Sequence, residues 1–169
     1  VPDCCRIMVV LGENAPWLTE VQSKAKQLSC ATEIKVNVTN MAQLMADSDL
    51  AIGAPGSTAW ERSCLGLPSI VLSHAQNQLF IAENLGRSGA HWYLGSSTDV
   101  SEELLGAAVL HALNDAHSLA SMSTKASRIC DGKGVKRVSR LLSVVELTLM
   151  PATHKDAERL FLWRNDPQP

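Results

Sequence analysis

A glycine turn followed by hydroxyl and carboxylate side chains is the part of the sequence best suited to binding chemistry. The turn spans residues 53–56 (Gly-Ala-Pro-Gly), and Ser57, Thr58 and Glu61 follow it. Ser57 or Thr58 is typical of a helix N-cap, and Glu61 within one turn indicates a capping box. A helix start presents free backbone N–H groups and the positive end of the helix dipole, so it suits a phosphate. The spacing by itself equally fits a strand-to-helix turn that binds nothing.

A pair of carboxamides follows the next apolar run. Asn77 and Gln78 come after the predicted strand at residues 69–72, where another helix begins. A carboxamide both donates and accepts hydrogen bonds, which suits the hydroxyl and acetamido groups of a sugar. A polar helix start without a ligand fits this pair equally well.

Short apolar runs alternate with helical patterns along most of the chain. We predict strands at residues 6–11, 33–38, 50–52, 69–72 and 90–94, and helices at 17–28, 41–46, 58–65, 78–85, 101–114, 119–129 and 135–145. This alternation predicts an α/β fold, a Rossmann-like parallel sheet with helices on both faces. Gly66, with Pro68 beyond it, is typical of a helix C-terminus. Ligands of such sheets lie beyond the carboxyl ends of the strands, where the turn at residues 53–56 falls.

Composition limits the class of protein. The chain has 169 residues, of which 46% are hydrophobic and 19% charged, and its net charge is −2. These proportions are typical of a globular domain, and the charge gives no reason to expect a nucleic-acid partner. We find neither an apolar run near the ~20 residues of a membrane span nor a signal peptide, and we expect a cytoplasmic protein. The five cysteines show no C-x-x-C spacing, so we expect no metal site.

The central stretch resembles a known group of enzymes. Its pattern G-x-x-G-S-T-x-W-E-x-x-x-x-G-L-P, with N-Q after the next strand, is similar to the nucleotide-binding half of GT-B fold enzymes. It most resembles the UDP-sugar hydrolases of pseudaminic acid biosynthesis (PseG type). These are related to the MurG-like transferases of peptidoglycan synthesis and to the SpsG-like proteins of spore coat polysaccharide biosynthesis. The resemblance extends from Arg6 to about Arg140.

The resemblance implies the C-terminal half of a GT-B fold that binds UDP or a UDP-sugar. Gly56, Ser57 and Thr58 would hold the diphosphate, and Glu61 would accept hydrogen bonds from the ribose hydroxyls. Backbone groups near Met41 would read the edge of the uracil.

The resemblance also implies a reaction. It is the hydrolysis of UDP-2,4-diacetamido-2,4,6-trideoxy-β-L-altropyranose to UDP and the free sugar, without a cofactor. Asn77 and Gln78 would face the sugar. The base in this family is a histidine of the N-terminal half, which this chain does not contain. We therefore expect that half to be joined in cis and this chain to be inactive by itself; His74 is the histidine nearest the predicted cleft.

A second pattern begins at Glu146. The residues ELTLMPATHKDAERLFLWRNDP predict a strand, a proline turn and a helix from Lys155 to about Trp163. They resemble the opening of a GNAT acetyltransferase of the PseH type, although Met150 stands where that family has a basic residue. We expect two domains: a UDP-binding domain at residues 1–145 and the truncated start of an acetyltransferase at residues 146–169. The chain lacks an initiator Met, and we interpret it as a fragment.

Two other functions fit the same residues. One is the donor-binding half of a MurG-like UDP-sugar glycosyltransferase, because the donor site is shared. The other is a non-catalytic nucleotide-binding domain. A histidine-containing loop upstream of Val1 would favour the hydrolase, and undetectable UDP binding would favour the non-catalytic domain.

Overall fold

The computed structural model describes residues 5–144, 151 and 153–159. The chain divides into two compact units, the first ending at Gly132 and the second beginning at Lys133. Every residue that the sequence predicts to contact a nucleotide or a sugar belongs to the first unit.

The first unit alternates strands and helices as the sequence predicts. Its strands are β1 (Arg6–Leu11), β2 (Ala31–Val36), β3 (Ala51–Gly53), β4 (Ser69–Ser73) and β5 (Trp92–Ser96). Its helices are α1 (Leu18–Ala25), α2 (Met41–Ala46), α3 (Ser57–Cys64), α4 (Leu79–Ser88), α5 (Glu102–Asn114) and α6 (Ala116–Ile129). A 3-10 turn, Gln76–Gln78, precedes α4. The predicted bounds differ from these by no more than three residues.

The strands are parallel but form two sheets. β1 pairs with β2 from Arg6 opposite Ala31 to Leu11 opposite Val36, and the second sheet has the order β3-β4-β5. The predicted α/β class is confirmed, with parallel strands flanked by helices. β3 has only three residues and is paired with β4 and not with β1.

The core lies around β4 and the inner face of α3. Ile70 and Val71 of β4 are fully buried. A second cluster joins Ala59 of α3 to Ala126 of α6, together with Leu85 and Ala90. Alanines at this contact allow the two helices to approach closely, so α3 is anchored by its inner face while its N-terminus stays at the edge of the sheet.

Helix ends in this unit follow local chemistry. Gly66 has φ +64°, and the N–H of Leu67 donates to the carbonyl of Arg62 (2.9 Å), which is the Schellman arrangement. The predicted end of α3 is therefore confirmed. Asp115 accepts a hydrogen bond from the N–H of Ser118, and this cap explains why α6 begins at Ala116, earlier than predicted.

The second unit is described only in part. It contains the amphipathic helix α7 (Gly134–Val144) and a 3-10 turn, His154–Asp156, that opens with a capping box between Thr153 and Asp156. The predicted strand at residues 146–150 lies outside the described residues, and the predicted helix is described only as far as Arg159. The division into two domains at residues 145 and 146 stays a prediction. Among the described residues no helix is long and apolar enough to cross a membrane.

Candidate functional site

The glycine turn joins the carboxyl end of β3 to the first residue of α3. β3 pairs with β4 through Gly53 opposite Val71, so this turn and the loop after β4 lie at the same edge of the sheet. A Cβ atom built on Gly56 would meet no atom within 4 Å. The turn therefore leaves room beside the N-terminus of a helix, the place in a parallel sheet where an anion is favoured.

Gly56, and not Ser57 or Thr58, is the N-cap residue of α3. Its backbone is extended (φ −91°, ψ −156°), and its carbonyl accepts a hydrogen bond from the N–H of Ala59 (2.9 Å). No side chain caps this helix, so the predicted capping box with Glu61 is wrong. Because glycine takes the cap position, Ser57 and Thr58 lie in the first turn, where N–H groups have no intrahelical acceptor. Both residues are exposed, and their N–H groups are available to a ligand.

Arg62 lies behind the turn, and no pattern in the sequence indicates its role. Its side chain is only 5% exposed, and its Nη2 donates to the carbonyl of Ala54 (2.8 Å) while Nη1 lies 3.5 Å from the Thr58 hydroxyl. A Cβ atom on Gly53 would stand 3.0 Å from Nη1, so a side chain there would displace the guanidinium. Arginine is seldom fully buried, which is why sequence reasoning places it in solvent.

His91 and Ser63 form a buried pair on the inner side of α3. His91 is 1% exposed, and its Nε2 lies 2.8 Å from the Ser63 hydroxyl, which is fully buried. Burial, and then the charge of Arg62, lower the pKa of His91 to about 4. His91 is therefore neutral at pH 7. The predicted strand at residues 90–94 includes His91, whereas β5 begins one residue after it.

The carboxylate and carboxamide candidates lie on the exposed side of the same sheet edge. Glu61 is exposed and stands one helical turn after Ser57 on α3, so the two share a face. Asn77 and Gln78 lie in the 3-10 turn after β4; Asn77 is exposed, and the Oε1 of Gln78 accepts a hydrogen bond from the N–H of His74 (2.9 Å). The topology thus brings Ser57, Glu61 and the carboxamide pair to one edge.

Met41 is placed differently from the other candidates. It is the first residue of α2, follows the β1–β2 sheet, and is half-buried. Since the turn at residues 53–56 follows the other sheet, the part of Met41 in nucleotide binding stays a prediction.

A shallow groove of about 580 Å³ lies elsewhere in this unit, between α4, β5 and α5. His111 lies on its wall and stacks on Trp92, with ring centroids 5.2 Å apart. His111 is exposed, and no pattern in the sequence indicates this stacking. The groove contains none of the residues predicted to bind a nucleotide or a sugar, and the described part of the chain has no group of three or more metal-ligating side chains.

The fold and the open helix N-terminus define a Rossmann-like domain of the type that forms the C-terminal half of GT-B proteins. The sequence profile described as "Glycosyltransferase family 28 C-terminal domain" matches residues 4–140. The chain therefore belongs to this family. The finer resemblance to the PseG-type hydrolases is not decided by this match.

Two curated proteins are similar in sequence. The spore coat polysaccharide biosynthesis protein SpsG of Bacillus subtilis is 29% identical over 136 residues, which are 80% of this chain and 40% of SpsG. The uncharacterized protein MJ1062 of Methanocaldococcus jannaschii is 43% identical over 75 residues, 43% of this chain and 15% of that protein. The chain thus spans at most two fifths of the length of these relatives.

Solved structures share the fold. MurG of Acinetobacter baumannii has a TM-score of 0.71 at 20% identity, over 83% of this chain and 41% of MurG. The spinosyn rhamnosyltransferase SpnG, in a complex with thymidine diphosphate, has a TM-score of 0.54 at 20% identity, over 79% of this chain and 45% of SpnG. At such identities these likenesses confirm the GT-B type of fold.

Proposed function

We propose that this domain binds the nucleoside diphosphate of a UDP-sugar. We further propose that, within a longer protein, it holds UDP as the leaving group while water releases it from UDP-2,4-diacetamido-2,4,6-trideoxy-β-L-altropyranose. The observation that carries the proposal is the N-terminus of α3, which is capped by a glycine, lacks a side-chain cap and faces open space at the sheet edge. Membership of glycosyltransferase family 28 supports a nucleotide-sugar ligand.

The diphosphate lies in front of α3 in this proposal. The N–H groups and hydroxyls of Ser57 and Thr58 donate to the phosphate oxygens, and Gly56 lets the phosphate approach the backbone. The helix dipole adds ~0.3–1 kcal/mol. Glu61, one turn further along the same face, accepts hydrogen bonds from the two ribose hydroxyls.

In this proposal the neighbouring loops contact the sugar and the uracil ring. Asn77 is exposed after β4 and can meet the sugar, whereas Gln78 uses its carbonyl oxygen on the N–H of His74 and retains its amide N–H groups for the sugar. Backbone groups at Met41 would contact the uracil. The complex of SpnG with thymidine diphosphate makes dTDP the most informative competitor in a binding test.

The first test is a change at Glu61. A hydrogen bond to a charged group contributes ~1.5–3 kcal/mol, so Glu61→Ala should raise the Kd for UDP by roughly 10- to 150-fold. The measurement is calorimetric titration of the chain with UDP, dTDP, ADP, GDP and CMP, supported by melting curves. At a hundredfold excess over Kd, UDP should stabilise the fold by ~2.7 kcal/mol.

A matched variant controls this experiment. Glu102→Ala removes an exposed glutamate from the first turn of α5, away from the glycine turn, and should leave UDP binding unchanged. Equal stabilisation by all five nucleotides, or an unaltered UDP affinity in Glu61→Ala, would contradict the assignment. Tighter binding of dTDP than of UDP would contradict the choice of uracil while leaving the diphosphate site intact.

A MurG-like transferase is the second candidate, because MurG shares the fold and the family describes glycosyltransferases. The two differ in the acceptor of the sugar, which is water for a hydrolase. In ¹⁸O-labelled water, a chain extended to the length of the relatives should release UDP without an added acceptor and place the label in the free sugar, because the anomeric C–O bond breaks. Turnover only after an acceptor is added would favour the transferase.

This chain by itself should release UDP no faster than the uncatalysed reaction. Binding the ground state and the transition state equally gives no acceleration, and a base must come within ~2.6–3.2 Å of the attacking water or act through one further water. His74 is exposed in the loop after β4 and is the nearest candidate on this domain. Turnover that is abolished by His74→Ala would overturn this expectation and place the base here.

A further inference from the structure

We propose that Arg62 is a positioning residue of the phosphate-binding turn, which it holds in shape while supplying buried positive charge for a bound diphosphate. The inference rests on the proposed function, because it concerns the same site. A positioning residue acts without touching the ligand, and Arg62 is buried with its guanidinium on Ala54 and Thr58.

The contacts of the guanidinium link the two ends of the turn. Nη2 donates to the carbonyl of Ala54, before the cap, and Nη1 lies beside the hydroxyl of Thr58, after it. The guanidinium also lies close to Gly53, where a Cβ atom would stand 3.0 Å from Nη1. One planar group thus contacts residues on both sides of Gly56 and holds the turn that carries the N–H groups of Ser57 and Thr58.

The charge of Arg62 is not held in an ion pair, and the carboxylate whose charge acts on it is that of the adjacent, exposed Glu61. Among the described residues no carboxylate forms an ion pair with it, and its buried Nε has no hydrogen-bond partner. Burying a cation without an ion-pair partner is costly, but arginine does not lose its proton in proteins. A purely structural arginine would normally be paired, so the arrangement is explained if an anion in front of the turn offsets the charge when it binds.

The neighbouring His91 is consistent with a single buried charge. It packs against the same helix through Ser63 and is neutral at pH 7, since Arg62 and burial disfavour its charged form. The positive potential behind the turn therefore comes from Arg62 and the helix N-terminus, and both favour the diphosphate over the nucleoside.

The test separates the phosphate contribution from the rest of the site. The affinities of uridine, UMP and UDP are measured by NMR titration for the wild type, Arg62→Met, Arg62→Lys and Gly53→Ala. Arg62→Met should weaken UDP binding by tenfold or more, about 1.4 kcal/mol, while uridine binding stays within about twofold. Arg62→Lys and Gly53→Ala keep a positive charge but displace it. In these two variants the ratio of UDP affinity to uridine affinity should fall less than in Arg62→Met. Arg87→Met, which removes an exposed arginine paired with Glu83, is the control and should change neither affinity.

The outcomes distinguish the two proposals. If the wild type binds no nucleotide, the proposed function itself fails. The inference is overturned if the wild type binds UDP and Arg62→Met has the same ratio of UDP to uridine affinity as the wild type, even where both affinities fall. If Arg62→Met does not fold, the two charge-preserving variants decide, because an unchanged ratio in both would overturn the inference.

Discussion

Acidification from pH 7 to about pH 4 should destabilise this domain by up to about 3 kcal/mol through His91. The ring is buried, and its pKa is lowered to about 4 from the ordinary 6.5. Below pH 6.5 the unfolded chain binds a proton at this residue that the folded chain does not bind until about pH 4. The contribution of neutral His91 to the free energy of unfolding is therefore complete above pH 6.5 and is lost as the pH falls toward 4.

The groups that face His91 do not reverse this sign. Ser63 is uncharged, and Arg62 stays positive throughout this range, so protonation of His91 places a second cation beside the first. Glu33 and Asp115 also have a lowered pKa. Their contribution to the stability of the fold is lost only as the pH falls below their ordinary pKa values of 4.5 and 3.8. The interval between pH 6.5 and 4.5 thus reports mainly on His91.

Urea denaturation at several pH values between 7 and 4.5 measures the effect. His91→Gln retains a group that can hydrogen-bond to Ser63 but cannot titrate, so its free energy of unfolding should depend much less on pH. His117→Gln changes an exposed histidine on α6 and should keep the slope of the wild type. An equal slope in the wild type and His91→Gln would show that His91 is not the titrating group.

Gly66→Ala should destabilise the fold by about 1–3 kcal/mol, the second large effect. Gly66 has φ +64°, a conformation that a side chain disfavours. Its Cβ atom would also stand 3.1 Å from the hydroxyl and 3.4 Å from the carbonyl of Ser123 on α6. The substitution therefore strains the Schellman end of α3 and pushes that helix away from α6.

Gly106→Ala is a matched control with the opposite expected sign. Gly106 lies within α5, and a Cβ atom there would meet nothing within 4 Å. Alanine in an exposed helix interior stabilises by about 0.5–1 kcal/mol relative to glycine. Free energies of unfolding from urea titrations compare the two variants, and a destabilisation of similar size in both would contradict the argument.

The sequence by itself determined the α/β class, the order of the elements and the stretch that carries the candidate site. These features follow from local signals: apolar runs of strand length, helical spacing, and glycines such as Gly66 that mark a turn or the end of a helix. Asn77 and Gln78 could be placed at the same edge as the glycine turn because the carboxyl ends of neighbouring parallel strands lie together. Membership of family 28 agrees with the superfamily that the pattern suggested.

Only the tertiary structure decided what lies behind that edge. The choice of Gly56 over Ser57 as the cap depends on how the chain leaves β3, and the pairing of Ser63 with His91 joins residues 28 positions apart. The burial of Arg62 against Gly53 reverses the expectation for an arginine on a helix, because it depends on space left by residues of another element. Local spacing cannot specify such contacts, since the same residues would be solvated on a helix whose neighbours packed differently. The separation of β1 and β2 from the other strands is likewise a matter of edge pairing between distant segments, which no short window of sequence contains.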